Sequence, residues 1–454
     1  MTTPVIELGD LSDGPANDPE RPAEFRHGTV RRLVLAGLAV LCVVALGASA
    51  RPGRPQIREL WSMPFAQSDM ASVVGDRVLL HRVFDERAEL SVHDAATGTL
   101  HWNRQVGEEL GGLETSKAAG VTLVPGDQRT ALVDFPEGGQ GLTRFGGTMT
   151  AVDTATGATL WQHPGGFSLA SGPDTVLLAE IGESSSPERI RMVRAREGTV
   201  VWERAVPSGA GTNTQVQFEG TRPARVVVAT GTGDITLLDF DTGTLLLERT
   251  LPWVEGSPET GDGSSLSTTS GLLLEIRNSG AAGGTGTATA YRIDTLERLW
   301  SLDAAGYVWV QDCGPLVCLT SESGYQTVDP WTGKPRWGSD GQPAHGMLPG
   351  DDVLLDSSRL RDSSTVLREA ATGQVRGAPA RGWLVSWDFS EGFALLRLPM
   401  PVEFTRSVLT WLDLRTGRSI LLGTIGQGGD LRCSGAGRIL ACQGTDRLVV
   451  YRIA

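Results

Sequence analysis

Asp94-Ala-Ala-Thr-Gly98, with Trp102 four residues later, is the first clear copy of a phrase that recurs along this chain. The Asp and the Gly return together in four further copies: Asp153 and Gly157, Asp239 and Gly243, Asp329 and Gly333, and Asp413 and Gly417. Looser copies centre on Gly198, on Gly373 and on a glycine-free turn after Asp294. A repeat of this period indicates similar units that bury their apolar faces only against one another.

The chemistry of the phrase predicts a tight hairpin turn. An Asp side chain accepts hydrogen bonds from the backbone amides that follow it, and Gly adopts the positive φ that reverses the chain. Between the turns lie short β-branched runs such as Val226-Val-Val and Val353-Leu-Leu, which are typical of strands. Each module has room for about four strands, which matches one propeller blade. The sequence therefore predicts an all-β fold, a closed β-propeller of four-stranded blades.

The two ends of the repeat array match each other. The last run, 448–453, resembles the strand that begins at Tyr291 and precedes a turn, but no fourth strand follows it. At the other end, Glu59-Leu-Trp-Ser62 resembles 298–301, and no module precedes it. We therefore predict that strand 58–63 completes the last blade and closes the ring, because an open sheet edge invites aggregation. A chance Leu-Trp-Ser match is the alternative.

The phrase Asp-x-x-Thr-Gly-x-x-x-Trp resembles the repeat of the pyrroloquinoline-quinone-like (PQQ-like) β-propeller family. That family includes quinoprotein dehydrogenases and a propeller lipoprotein that assists outer-membrane protein assembly. The resemblance covers roughly residues 58–454 and implies eight blades, whereas eight turns plus one split blade give nine modules in this sequence. Because the match is at the level of the repeat, it predicts the fold strongly and the function weakly.

The chain is acidic. It has 454 residues and a formal net charge of −13, which disfavours nucleic acid and anionic lipid as partners. The repeat makes one large ring of blades more consistent with this length than several separate cores.

One segment, 33–50, carries no charge over 18 residues, which is enough to span a membrane. Arg26, Arg31 and Arg32 precede it, so the positive-inside rule places the N-terminus in the cytoplasm and the propeller outside. We predict a single-pass cell-membrane protein. The alternative is a signal peptide cleaved after Ala50.

The predicted domains are a disordered cytoplasmic tail (1–32), a transmembrane anchor (33–50), a linker (51–57) and the propeller (58–454). Within the tail, Val5, Ile6 and Leu8 form an isolated apolar patch, which is either a docking peptide for a cytoplasmic partner or a random cluster.

Four of the five cysteines fall into two close pairs. Cys313 and Cys318 flank Gly-Pro-Leu-Val, while Cys433 and Cys442 flank a Gly-Ala-Gly turn. Opposed positions on a hairpin bring Cα atoms near the distance that a disulfide needs, and an oxidising exterior preserves the bond. We predict both disulfides; metal ligation and reduced core thiols are the alternatives.

No catalytic residues or metal ligands can be assigned from the sequence. The six histidines are scattered without the spacing of a metal or catalytic motif. The chain also lacks the adjacent Cys-Cys pair that the resemblance would require for the quinone site of the alcohol dehydrogenase type. We therefore expect no cofactor and no enzymatic activity, and a membrane-anchored propeller that binds or scaffolds protein or glycan. The alternatives are a quinone-dependent oxidoreductase and a receptor that couples an outside ligand to the tail.

Overall fold

The structure, a computed structural model, describes residues 57–66, 69–84, 87–106, 120–124, 127–135, 148–164, 167–181, 187–207, 212–220, 222–255, 263–269, 271–278, 285–305, 309–321, 324–340, 348–349, 353–357, 364–388, 392–399, 406–426, 432–444 and 446–453. Within these ranges no helix has the length and apolar character needed to cross a membrane. The predicted tail with Val5, Ile6 and Leu8, and the predicted anchor 33–50, lie outside the described residues.

The described part of the chain forms β-strands that are grouped into four-stranded sheets, which we number in chain order. Sheet 1 has β2 (Met70–Val74), β3 (Arg77–Phe84), β4 (Arg87–Asp94) and β5 (Leu100–Val106). Sheet 2 has β6 (Gly120–Val124), β7 (Asp127–Phe135), β8 (Thr148–Asp153) and β9 (Thr159–Pro164). Sheet 3 has β10 (Phe167–Ser171), β11 (Thr175–Ile181), β12 (Pro187–Arg194) and β13 (Val200–Ala205). Sheet 4 has β14 (Asn213–Glu219), β15 (Arg222–Ala229), β16 (Asp234–Asp239) and β17 (Leu245–Thr250).

The later sheets follow the same plan. Sheet 5 has β18 (Gly263–Thr269), β19 (Leu272–Asn278), β20 (Thr285–Arg292) and β21 (Arg298–Ala305). Sheet 6 has β22 (Trp309–Cys313), β23 (Leu316–Ser321), β24 (Gly324–Val328) and β25 (Pro335–Asp340). Sheet 7 has β26 (Leu348–Pro349), β27 (Val353–Ser357), β28 (Ser364–Glu369) and β29 (Ala380–Arg381). Sheet 8 has β30 (Trp383–Asp388), β31 (Phe393–Pro399), β32 (Ser407–Asp413) and β33 (Ser419–Ile425).

Sheet 9 is assembled from both ends of the repeat array. It has β34 (Arg432–Ala436), β35 (Ile439–Gln443), β36 (Arg447–Ile453) and, beside β36, β1 (Ile57–Pro64). The β1–β36 pair is antiparallel and runs from Ile57 opposite Ile453 to Pro64 opposite Arg447, with a bulge between Glu59 and Trp61. The first strand thus occupies the fourth-strand position that the last module lacks.

Each repeat of the sequence corresponds to one sheet. The described residues contain nine four-stranded antiparallel sheets, as many as the modules counted in the sequence and one more than the eight that the family resemblance implies. First strands of neighbouring sheets contact one another, for example β10 with β14, β14 with β18, and β34 with β2. An all-β arrangement of successive four-stranded meanders is that of a β-propeller.

The hydrophobic core lies between successive sheets. Leu80 of sheet 1 packs with Leu448 and Val450 of sheet 9, and Leu409 of sheet 8 packs with Ile57 and Tyr451 on the other side of sheet 9. Each fully buried Leu or Val contributes about 1.5–3 kcal/mol through burial. Residues of sheet 9 thus pack against sheet 1 on one face and against sheet 8 on the other.

The connections leave each sheet at two opposite ends, because the strands are antiparallel. The links from first to second strand and from third to fourth strand, which include the Thr-Gly turns, share one end, which we call the turn side. The links from second to third strand and from each sheet to the next leave at the other end, which we call the loop side. Ile57 lies opposite Ile453 at the end of β36, a third strand, so the chain joins sheet 9 on the turn side.

Candidate functional site

The repeat turns have the geometry that their sequence predicts. Asp94 Oδ1 accepts hydrogen bonds from the backbone N–H groups of Ala96 and Thr97 at 3.0 and 2.8 Å, and from the Thr97 hydroxyl at 2.8 Å. The N–H of Gly98 donates to the Asp94 carbonyl oxygen at 2.9 Å, and Gly98 has a φ of 73°. The carboxylate thus replaces backbone acceptors that a turn this tight cannot supply.

The same bonds recur at the other predicted turn residues. Asp153, Asp239, Asp329 and Asp413 each accept N–H groups two or three residues on, and Gly157, Gly243, Gly333 and Gly417 all have positive φ. The bond from the Arg336 guanidinium and that from the Thr332 hydroxyl lower the pKa of Asp329 to about 2. The Thr97 hydroxyl and amide likewise lower the pKa of Asp94. These carboxylates serve as structural hydrogen-bond acceptors.

A tryptophan from the preceding sheet lies on six of the turns in the described structure. Trp61 of β1 packs against Gly98 of sheet 1 so closely that a Cβ at Gly98 would lie 2.8 Å from the ring. The Trp61 indole Nε1–H donates to the Ala95 carbonyl oxygen at 3.0 Å. Glycine is therefore required twice, for its positive φ and for the space that the indole occupies.

Six such joints connect neighbouring sheets in the described structure, each with an indole Nε1–H donated to a turn carbonyl at 2.7–3.0 Å. They are Trp61 on Gly98, Trp102 on Gly157, Trp161 on Gly198, Trp202 on Gly243, Trp300 on Gly333 and Trp337 on Gly373. The repeat Trp and the repeat Gly are thus two halves of one contact between different modules.

Two joints are built differently. Between sheets 4 and 5, Leu247 packs in one cluster with Leu296, whose φ of 51° replaces the missing glycine. Between sheets 7 and 8, Gly377 stands at the tryptophan position, and a Cβ there would lie 2.5 Å from the carbonyl oxygen of Gly417. Backbone therefore packs directly on backbone at this second joint.

Both predicted disulfides are present, and each joins the first and second strands of its sheet. Cys433 and Cys442 are direct cross-strand partners with Cα atoms 4.1 Å apart. Cys313 and Cys318 have Cα atoms 5.7 Å apart but are not opposed, because Cys313 pairs with Leu316 across a two-residue turn. The second bond is therefore diagonal, which corrects the expectation of opposed positions.

Hydroxyl groups link the first strands of neighbouring sheets. Ser267 Oγ and Thr268 Oγ1 of β18 donate to the carbonyl oxygens of Val310 and Val216 at 3.3 and 3.1 Å. Between sheets 1 and 9, the N–H of Val73 donates to Ser434 Oγ at 3.1 Å. These bonds fix the spacing of the strands that contact one another at the centre of the array.

Trp331 is an exposed aromatic residue that the sequence reasoning missed. It lies two residues after Asp329 in the turn of sheet 6, at a position that holds alanine in the first two copies of the phrase. Its side chain is 50% exposed and reaches sheet 5, where a Cβ at Gly271 would lie 3.3 Å from the indole. The Arg292 guanidinium carbon lies 5.8 Å from the ring centroid, within cation–π range.

Polar groups are also buried inside the sheets. The His81 side chain is 2% exposed, and neither ring nitrogen has a hydrogen-bond partner among the described residues. Burial lowers the pKa of His81, and the nearby Asp69 carboxylate partly opposes that effect. Arg397, which is 1% exposed, donates from Nε to Ser407 Oγ at 2.8 Å. Among the described residues no three His, Cys, Asp or Glu side chains are grouped as a metal site would require.

The family model described as "Outer membrane protein assembly factor BamB" matches residues 54–223 and 186–340, which together span more than half of the chain. The chain belongs to this family. The matched residues include the described turns of sheets 1 to 6. A comparison with curated proteins gives no match.

Solved structures to which this chain is similar include BamB from Moraxella catarrhalis, with 15% identity, 87% of this chain and 99% of that chain covered, and a TM-score of 0.42. A eukaryotic initiation factor has 12% identity, covers 80% of this chain and 91% of its own, and has a TM-score of 0.53. The dihydro-heme d1 dehydrogenase NirN has 14% identity, and the match covers 83% of this chain and 78% of NirN with a TM-score of 0.45. At these identities the likeness concerns the fold alone.

Proposed function

We propose that this chain is a membrane-anchored, extracytoplasmic propeller that binds a partner protein through the exposed Trp331–Arg292 pair. The family fold supports a scaffold, and the pair is the observation that carries the binding site. Tryptophan and arginine are the residue types most enriched at interface positions that dominate binding energy.

We propose that the described sheets form a closed ring, which serves as the scaffold for the binding site. Closure is supported by the pairing of β1 with β36 and by the Trp61 joint, which connects sheet 9 to sheet 1 as the other joints connect consecutive sheets. A ring without a free edge holds surface side chains rigidly, which reduces the entropy lost on binding. The proposed anchor is segment 33–50, supported by its length and by the arginines before it.

The proposed site combines an apolar face with positive charge. Trp331 presents half of its surface to solvent, and Arg292 and Lys334 beside it are both exposed on a chain of net charge −13. A partner with an apolar surface for the indole and a carboxylate for Arg292 would bury the ring and pair the guanidinium. The partner class that fits is therefore a protein with an acidic and apolar epitope.

The proposal is tested by capturing partners of the full chain from its own membrane after crosslinking. Trp331→Ala and Arg292→Ala should each weaken capture of the same polypeptide by a factor of ten or more, because truncating a residue that dominates an interface costs about 2 kcal/mol or more. Leu246→Ala is the matched control, because Leu246 is 51% exposed on the outer strand of sheet 4.

Equal capture by all variants contradicts the site, provided that thermal melting shows them equally folded. Loss of capture in the Leu246 control as well would show that the contact is not specific to the turn of sheet 6. A ligand that binds through Trp331 but yields no crosslinked polypeptide would indicate a glycan instead.

A further inference from the structure

Several exposed arginines lie where sheet 9 is assembled from the two ends of the repeat array. Arg58 of β1 and Arg452 of β36 are directly paired across the strands, and both are exposed. Exposed Arg438 lies near this pair, because its carbonyl oxygen accepts a hydrogen bond from the N–H of Ile453, the residue after Arg452, at 2.8 Å. Like charges in direct cross-strand register repel each other, so this arrangement costs stability unless a ligand uses it.

These arginines have no acidic partner in the described structure. Neither Arg58 nor Arg452 takes part in any of the ion pairs within that part of the chain, and the acid next in sequence, Glu59, lies 3.9 Å from Arg447 instead. Exposed Arg418, at the turn before β33, extends the positive charge to sheet 8. The turn side of sheets 8 and 9 thus carries exposed arginines that include Arg58, Arg418, Arg438 and Arg452.

An apolar pair adjoins the arginines. Ile420 and Leu421 of β33 are 46% and 63% exposed. Leu421 stands four residues after Gly417, the position that tryptophan fills in the repeat, but the turn on which it would dock is interrupted by the chain ends. Its neighbour Gly423 lies against Ile57, where a Cβ would be 3.0 Å from Ile57 Cγ2. We call Arg58, Arg418, Arg438, Arg452, Ile420 and Leu421 the seam patch.

The seam patch surrounds the point where the chain joins the propeller. In the sequence, segment 51–56 links Ile57 to the uncharged run 33–50. A fully extended link of this length spans at most about 25 Å. If 33–50 crosses a membrane, as proposed above, the seam patch is therefore held near the lipid surface.

We propose that the seam patch docks on the anionic headgroups of the membrane that anchors the chain, with Ile420 and Leu421 inserted among them. This inference rests on the proposed anchor. Arginines above apolar residues match an anionic interface, where phosphate accepts from guanidinium groups and the acyl boundary accepts the aliphatic side chains. The net charge of −13, which disfavours anionic lipid for the chain as a whole, acts only weakly at the seam patch, because charges beyond about 8 Å are screened at physiological salt.

The experiment places an environment-sensitive fluorophore on the full chain in vesicles. The label is attached at Leu421→Cys, or at Leu246→Cys as the matched exposed control, with Cys42→Ala removing the free thiol. The vesicles contain phosphatidylcholine alone or mixed with phosphatidylglycerol, with nitroxide-labelled lipid as the quencher. Carbonate washing reports separately whether the chain is anchored.

If the seam patch docks, the fluorescence emission of the label at position 421 should shift to the blue and be quenched in the phosphatidylglycerol vesicles. The label at position 246 should show neither change. High salt should reverse both changes at position 421. Arg58→Gln with Arg452→Gln should lower the docked-to-free ratio by roughly 25-fold, about fivefold for each arginine. Arg58→Lys with Arg452→Lys should retain docking. Arg298→Gln with Arg381→Gln, which makes the same change of charge on sheets 5 and 7, should leave docking unchanged.

Equal signals at 421 and 246, or equal signals in the two lipids, would overturn the proposal. A signal at 421 that arises in native membrane but not in pure lipid would also overturn it and would indicate a protein on the seam patch. If carbonate removes the chain while arginine-dependent binding to phosphatidylglycerol persists, the anchor is wrong and the docking surface stands.

Discussion

Replacing Trp61 by alanine removes the joint between sheet 9 and sheet 1. Trp61 is partly buried, packs on Gly98 and donates its indole N–H to the Ala95 carbonyl oxygen. Truncation of a buried Trp costs about 3–5 kcal/mol. Because Trp61 keeps some solvent contact, we expect about 2–4 kcal/mol, including roughly 1 kcal/mol for the lost hydrogen bond.

The matched control is Trp202→Ala, which removes the equivalent joint between sheets 3 and 4. In a closed ring the two substitutions should lower the free energy of unfolding by similar amounts, measured by denaturant titration of the full chain. If Trp61→Ala leaves the free energy of unfolding unchanged while Trp202→Ala lowers it by the expected amount, the contact between sheets 9 and 1 does not stabilise the fold.

A double-mutant cycle separates the joint from general damage. Gly98→Ala alone should be strongly destabilising, because the new Cβ would lie 2.8 Å from the Trp61 ring at a φ of 73°. With Trp61→Ala in place the clash disappears and only the backbone strain remains. We therefore expect the two costs to fall short of additivity by at least about 1 kcal/mol. Strict additivity would refute the contact.

Three further predictions concern individual side chains. Cys313→Ser with Cys318→Ser should lower stability by about 2 kcal/mol, since the closed loop is short, and calorimetry should still show a cooperative transition. Burial lowers the folded pKa of His81, so stability should fall as pH drops below about 6.5, the unfolded value; His81→Leu should flatten this slope in denaturant titrations between pH 7 and 5. The pKa of Asp329 in the folded protein is about 2, because Arg336 stabilises the carboxylate. Its contribution to the free energy of unfolding should be complete above the ordinary Asp pKa and should be lost as pH falls towards 2. Asp329→Asn should therefore make the free energy of unfolding less dependent on pH in that range, and an unchanged dependence would contradict the role of Asp329 in the turn.

Periodic features were accessible from the sequence because each is repeated. The Asp, Thr and Gly of the phrase are local and recur in register, so the turns follow from the sequence. The blade number stayed open at that stage, because nine modules were counted while the family resemblance implies eight. The partner of each Trp was less accessible, since Trp61 and Gly98 belong to different sheets and their contact exists only once the sheets pack. The bulge between Glu59 and Trp61 had no sequence signal.

Features that occur once were harder to predict. Trp331 interrupts the repeat only by replacing a small residue in one turn, and its exposure depends on the neighbouring sheet around Gly271 and Arg292. Comparison of the turn positions across copies could have found it. His81 sits within an ordinary strand pattern, and nothing in the sequence distinguishes its buried, unpaired ring from an exposed one.

The most direct test of the proposed function is site-specific photocrosslinking in intact cells. A photoreactive phenylalanine analogue is placed at Trp331 in the full chain, and at Leu246 as the equally exposed control on another sheet. The account predicts one discrete crosslinked polypeptide from position 331, absent from position 246 and weakened by Arg292→Ala. Identical crosslinking from both positions, or no polypeptide adduct from position 331 in a correctly folded chain, would contradict it.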